Sequence, residues 1–285
     1  MPTARAVREP TGPAEYVLGT GADESARLGL QHRLWSAATH DLWQRARVQP
    51  GMTVLDIGCG PGHAALDLAQ IVGAKGRVIA IDESATFLKQ LHDQESARKQ
   101  HNIERVLGDV QEMLPALADE EGRIDVAYAR WVFCFVPRPE DVVKGLARLV
   151  KPGGRVAVQD YFNYERAMTL APRRESFTKV IHAVAASWRS RGGDTDIMSK
   201  LPGMFIRNGF EITDLNVVQR IARPGETMWH WPSTFWQSFL PRLIDGGFIT
   251  TDDKAAFLEA WDEASRDPGS FVQLPPVYEL IVTRK

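Results

Sequence analysis

Three glycines alternate at the end of an apolar run, Val54-Leu55-Asp56-Ile57-Gly58-Cys59-Gly60-Pro61-Gly62. Glycines at a strand-to-helix turn take backbone conformations closed to other residues and let a ligand lie directly on the main chain. Asp56 stands two residues ahead of the first glycine. A carboxylate there repels a pyrophosphate and favours a cationic amino-acid group.

The spacing excludes the common phosphate ligands. A dinucleotide site needs a third glycine three positions after the second, and that position is His63. No glycine-rich loop followed by Lys-Ser or Lys-Thr occurs, so nucleoside triphosphates are unsupported. S-adenosylmethionine suits the same turn. It carries no phosphate, and its sulfonium, ammonium and carboxylate sum to about +1. Asp56 would hold the ammonium, and Gly58, Gly60 and Gly62 would approach the methionyl part. Asp82 follows 20 residues after Gly62, where an acid accepts hydrogen bonds from ribose hydroxyls. Asp109, in Gly108-Asp109-Val110, is placed to accept from an adenine amine. Arg130 follows a fourth strand, where a backbone carbonyl would face the sulfonium; for its side chain, a salt bridge and a substrate contact stay open.

The elements that must position these residues alternate. Strands are expected at Thr53 to Ile57, Arg77 to Ile81, Ile103 to Leu107, Ile124 to Ala129 and Arg155 to Gln159. Helices are expected at Gly62 to Val72, Ser84 to Lys99 and Pro139 to Val150, with a short one from Val110 to Leu117. That alternation calls for a doubly wound α/β fold whose mostly parallel sheet is covered on both faces. The acids then fall at the carboxyl ends of strands, where open α/β sheets bind ligands. Asp23 to Val48 carries apolar residues at helical spacing and reads as one or two helices. Glu175 to Arg189 reads as a helix, Ile197 to Asn208 as another broken near Pro202, and Phe210 to Gln219 as a sixth strand. A last strand lies within Phe271 to Thr283, which makes seven. The chain thus divides into a loose tail (1–13), N-terminal lid helices (14–49), a cofactor-binding core (50–161), a helical segment with the sixth strand (162–222), a substrate-side insertion (223–268) and the last strand (269–285), all in one domain.

The segments Val54 to His63, Arg77 to Ser84, Gly108-Asp109-Val110, Ile124 to Phe133 and Leu149 to Ala157 resemble class I S-adenosylmethionine-dependent methyltransferases. The likeness is closest to the ubiquinone/menaquinone-biosynthesis-like group of small-molecule methyltransferases. It covers roughly residues 50–160, and the turn Val150-Lys151-Pro152-Gly153-Gly154 is a second good match. The stretch Tyr16 to Gln31, with Arg27, looks like the lid helix of some members, which places Tyr16 and Gln31 at the cofactor. The resemblance implies a Rossmann-like sheet, S-adenosyl-L-methionine as cofactor and a small acceptor. The chain departs from the family in two places. Glu83 stands where an apolar residue often packs on adenine, and Val132-Phe133-Cys134-Phe135 replaces a familiar pair of histidines.

Composition narrows the remaining classes. The 285 residues carry 34 basic and 36 acidic side chains, a formal charge of −2, so no electrostatic footprint for nucleic acid is visible. Cys59 and Cys134 are the two cysteines, and Cys59 inside the glycine turn reads as a small packed residue. No histidine pairs with cysteine or histidine at metal-ligand spacing, so no metal site is expected. The lack of a secretory signal or an apolar span points to a cytoplasmic protein with no membrane partner. His182, in an apolar helix, reads as a core histidine. His230, between Trp229 and Trp231, and Tyr161 are the candidates for a base if the acceptor is a phenol, and Tyr16, Tyr161 and Tyr164 are candidates for the same pocket wall. The tryptophans Trp229, Trp231, Trp236 and Trp261 read first as core. The expectation is methyl transfer to a small, partly apolar or aromatic acceptor at O, N or C. A nucleic-acid methyltransferase and a non-catalytic cofactor-binding regulatory module stay open as alternatives. Monomer and homodimer are equally open.

Overall fold

A computed structural model describes residues 22–285. The strands are β1 (Thr53–Ile57), β2 (Arg77–Asp82), β3 (Ile103–Leu107), β4 (Ile124–Arg130), β5 (Val150–Tyr161), β6 (Thr169–Ala171), β7 (Phe210–Val218), β8 (Ile221–Ala222), β9 (Phe271–Gln273) and β10 (Val277–Arg284). The helices are α1 (Ala22–Arg45), α2 (His63–Val72), α3 (Ala85–Ala97), α4 (Met113–Ala116), α5 (Pro139–Leu149), α6 (Tyr164–Ala167), α7 (Glu175–Arg189), α8 (Leu201–Arg207), α9 (His230–Asp245) and α10 (Thr251–Arg266). No described helix is long and apolar enough to cross a membrane.

Seven strands form one sheet in the order β3-β2-β1-β4-β5-β10-β7. The first five run parallel, and β10 is antiparallel to both β5 and β7. β1 lies between β2 and β4 and is covered on both faces, which is why Val54, Leu55 and Ile57 are apolar around the single charge of Asp56. One face packs Leu55 and Ile57 with α5 and the C-terminal helices; the other packs Val54 with α2 and the Leu42–Trp43 end of α1. Local chemistry sets the helix starts. The Ser84 hydroxyl accepts from the Phe87 backbone N–H at 3.2 Å, Pro139 opens α5, and Thr250 with Asp253 forms a capping box on α10.

The expected doubly wound sheet is present, and three details differ from expectation. The Phe271 to Thr283 stretch is two strands, because Pro275 and Pro276 offer no N–H to continue a ladder. β9 instead joins β6 and β8 in a separate antiparallel sheet, whose three short strands carry no sequence period long enough to read. His182 is not in the core; it is exposed on the outer side of α7.

The region between β8 and β9 folds as α9 and α10. Trp236, Phe257 and Trp261 pack with Phe177 of α7, and Trp229 stacks on Trp261 at 4.3 Å. Those tryptophans are core. Trp231 and Phe235, one turn apart, face the other way, toward α1 and the carboxyl end of the sheet.

Candidate functional site

Two cavities open at the carboxyl ends of β1, β2, β3 and β4, with about 1010 and 1040 Å³ of empty space, mouths included. Gly58, Gly60, Trp131 and Phe135 line both, so they are two lobes of one groove. One lobe holds Asp82, Glu83, Asp109 and Val110. The other holds Asp56, Arg130, Arg27 and Gln31, with an aromatic wall.

The glycine corner has a division of labour that spacing alone does not reveal. Gly58, Gly60 and Gly62 have φ of 62, 54 and 85°, all left-handed. A Cβ on Gly58 would meet Val132 at 2.6 Å, and one on Gly62 would meet Leu91 at 2.3 Å, so these two glycines are required by packing. A Cβ on Gly60 would meet nothing within 4 Å. Gly60 alone presents bare backbone to open space in both lobes.

Asp56 is 2% exposed, and one of its carboxylate oxygens has no hydrogen-bond partner. Burial pushes its pKa up to about 7, with Arg130 opposing the rise and Asp82 adding to it. An unpartnered buried carboxylate in a cavity wall is a site prepared for a cation. Asp82 is buried too, and burial raises its pKa. Its two oxygens accept from the Gly60 N–H at 2.8 Å and the Ser84 N–H at 2.9 Å, so it anchors the glycine corner as well as lining the lobe. Glu83 is exposed at the rim, its pKa raised by partial burial and by the charges of Asp82 and Asp109. Asp109 caps a 3-10 turn by accepting from the Gln111 N–H at 2.8 Å, and Val110 is buried beneath it.

Arg130 is held by two elements. It donates to Thr39 Oγ1 at 2.9 Å and to His32 Nδ1 at 3.1 Å. Arginine only donates, so His32 Nδ1 accepts and its Nε2–H goes to Asp67 Oδ2 at 2.9 Å. His32 also stacks on His63, whose pKa falls to about 4 through burial and the neighbouring cations. His63 therefore stands neutral in the wall.

α1 and α9 close the second lobe. Gln31 Oε1 accepts from Trp231 Nε1 at 2.9 Å and from Arg27 at 3.2 Å. Arg27 is paired with Glu24 at 2.6 Å and lies 5.9 Å from the Phe235 ring. Beneath this roof Trp131 lies between Tyr161 and Trp231 with interplanar angles of 22° and 27°, and Tyr164 and Trp188 extend the aromatic wall.

Asp56, Gly58, Gly60, Asp82, Glu83, Asp109, Val110, Arg130, Gln31 and Tyr161 all line the groove; Gly62 lies behind it, under Leu91. His230 does not. It is exposed at the start of α9, outside both lobes, because the helical turn that points Trp231 inward points its neighbour out. Tyr161 is in the wall, but burial pushes its phenol well up, so it is a hydroxyl and not a base. Tyr16 lies outside the described residues. Sequence reasoning missed Trp131 and Trp188, which come from separate segments; the one signal was their membership of the segments after β4 and in α7.

Comparison with known proteins follows this geometry. A family model described as "Methyltransferase domain" matches residues 48–200, more than half of the chain. Over 126 residues the chain is 34% identical to a demethylmenaquinone methyltransferase of Lactococcus lactis, covering 44% of this chain and 47% of that protein. Over 133 residues it is 35% identical to a 2-phytyl-1,4-naphtoquinone methyltransferase of Synechococcus elongatus, covering 44% and 54%. The chain thus spans about half the length of the curated relatives it matches. Among solved structures, one of a putative methyltransferase from Bacillus halodurans is similar at a TM-score of 0.59 and 19% identity, covering 86% of this chain and 97% of that one. A crystallised cyclase is similar at 0.56 and 19%, covering 87% and 80%, so the fold by itself does not dictate the reaction.

Proposed function

Because the chain belongs to the methyltransferase-domain family, we propose that it transfers a methyl group from S-adenosylmethionine to a small, partly apolar or aromatic acceptor. The observation that carries this reading is the unpartnered, buried oxygen of Asp56 beside the bare backbone of Gly60. A cation on a backbone-hugging ligand fits that pair, and a diphosphate does not. The cofactor supplies, when bound, a methyl carbon already activated on a sulfonium.

The chain's own residues then have definable tasks. Asp56 pairs with the ammonium, and Gly58 and Gly60 lie under the methionyl part. Asp82, with Glu83 at the rim, faces the ribose, and Asp109 and Val110 face the adenine. Arg130, fixed by Thr39 and His32, sets the charge at the strand tip. Trp131 and Phe135 border both lobes, so the methionyl end of the cofactor would reach past them into the lobe that holds Asp56 and the aromatic wall, where the acceptor would sit. α1 and α9, latched through Gln31 and Trp231, keep water from the reacting atoms. Alignment of acceptor and methyl carbon is the main work left to the protein.

The test is incubation of the protein with S-adenosylmethionine carrying a deuterated methyl group and a small-molecule extract, read by mass spectrometry. A labelled low-molecular-weight product is expected. Cofactor binding without any labelled product across extracts would instead make the chain a non-catalytic binder.

A further inference from the structure

The central sheet has two outer edges, and they are built differently. β3 is five residues long and carries Glu104 and Arg105, which pair with Arg77 at 3.5 Å and with Glu95. Short length and charge keep an edge from pairing with another chain. β7 has neither protection. Its nine residues, Phe-Glu-Ile-Thr-Asp-Leu-Asn-Val-Val, hold no lysine, arginine or proline, and among the described residues no strand pairs with its outer side.

The sheet face beside that edge is apolar. Tyr278, Leu280 and Val282 alternate along β10, so they share one face, and they stand opposite Val217, Leu215 and Ile212. Thr213 is skipped in the register with β10, and this bulge brings Ile212 onto the face of Leu215 despite the odd spacing. Leu280 and Val282 are buried in the core on that face, whereas Ile212, Leu215 and Val217 stay 39, 55 and 44% exposed. Phe162, 37% exposed, extends the patch through an edge-on contact with Tyr278 at 5.3 Å. The four exposed side chains present about 300 Å² of apolar surface, the size of patch that marks a contact site.

A second copy of this chain fits the edge. The bulge-free part of β7 runs from Asp214 to Val218, and Asn216 is its midpoint. A two-fold axis at Asn216 sets the strand antiparallel to its copy. Leu215 then faces the partner's Val217, and Val217 the partner's Leu215, on the apolar face. Asp214 faces the partner's Val218, so no acid opposes an acid, whereas an axis at Asp214 would bring two carboxylates together. Two patches join about 600 Å² of apolar surface, and the paired main chains bring the contact to the roughly 1,000 Å² that a specific interface needs. Independently of the methyl-transfer reading, we propose that β7 is a dimer interface, at which two copies of the chain join edge to edge about Asn216 into one continuous sheet.

Sedimentation equilibrium of the full chain should give about twice the 31.8 kDa mass of one chain. Leu215→Lys and Val217→Lys, at exposed positions where circular dichroism should show the fold intact, should each weaken dimerisation about tenfold or more. Under mild oxidation Asn216→Cys should cross-link to its copy. Glu211→Cys, held about 30 Å from its copy by the antiparallel register, should not. The chain's own cysteines, Cys59 and Cys134, are buried and stay out of that reaction. A wild type that is monomeric at about 100 μM, dimerisation undiminished in both lysine variants, or a cross-link from Glu211→Cys in place of Asn216→Cys would overturn the proposal. So would a monomer that this face carries onto phosphatidylcholine vesicles in a flotation assay.

Discussion

Replacing Asp56 by Asn removes a buried charge at constant shape and separates the cost of the site from its use. The carboxylate is 2% exposed, lacks a partner on one oxygen, and has its pKa pushed to about 7. An unfolded aspartate titrates at about 3.9, so folding raises the value by about three units, or about 4 kcal/mol. The folded state holds the proton more tightly. This contribution to stability is therefore full below about pH 4 and is lost as pH rises through about 7. Asn escapes that loss, although its own amide is buried short of partners at about 1–3 kcal/mol. The net expectation is a ligand-free variant more stable than wild type by about 1–3 kcal/mol near pH 8, and about equal near pH 5. Urea unfolding at the two pH values reads this directly. Calorimetry with S-adenosylmethionine should show the opposite: about a hundredfold weaker binding by the variant, from loss of a buried ionic partner. Wild-type affinity should fall about fivefold from pH 7 to pH 6 as Asp56, with its pKa at about 7, takes up its proton. A variant less stable than wild type near pH 8, or one that binds the cofactor equally well, would refute the reasoning.

Two further perturbations discriminate parts of the site. Gly62→Ala should cost about 3 kcal/mol, from left-handed strain plus the clash with Leu91, whereas Gly60→Ala should cost only about 1–2 kcal/mol of strain and weaken cofactor binding instead. Equal losses of stability in the two variants, measured by denaturant unfolding, would contradict the assignment of Gly60 as the bare ligand surface. Gln31→Leu strips the Trp231 indole of its acceptor and should cost about 1–3 kcal/mol, with faster proteolysis of α9 as the roof loosens; unchanged proteolysis would mean that the latch holds nothing.

The strand-end residues of the groove were legible because each is set by a local rule. Asp56, Gly58, Asp82, Asp109 and Arg130 all fall at strand ends, and each strand announced itself within a few residues. What local rules missed there is double duty: Asp82 also ties down Gly60, and Asp109 also caps a turn, because hydrogen-bond partners two to twenty-two residues away leave no periodic trace. The aromatic lobe was hardly legible. Its wall is drawn from α1, the tip of β4, the end of β5, α6, α7 and α9. In α9 the phase of one helix decided between His230 and Trp231, and a run of adjacent aromatic residues hides that phase.

The unequal legibility has a physical basis in Trp131. It is the residue after β4, it borders both lobes, and its φ of 53° is a left-handed conformation that a bulky side chain rarely adopts. Its backbone N–H is claimed by the Gln159 carbonyl at 2.8 Å, which turns the chain sharply as it leaves the sheet. The strain is tolerated because the surroundings fix the ring from three sides: Tyr161, Trp231 and Trp35. Standard strand tips place acids and glycines along one edge of the sheet; the Trp131 ring, standing on a left-handed strand tip, shapes the space between the two lobes. The first is written in strand periodicity and glycine spacing. The second depends on contacts among residues far apart in the chain, and only the folded structure brings them together.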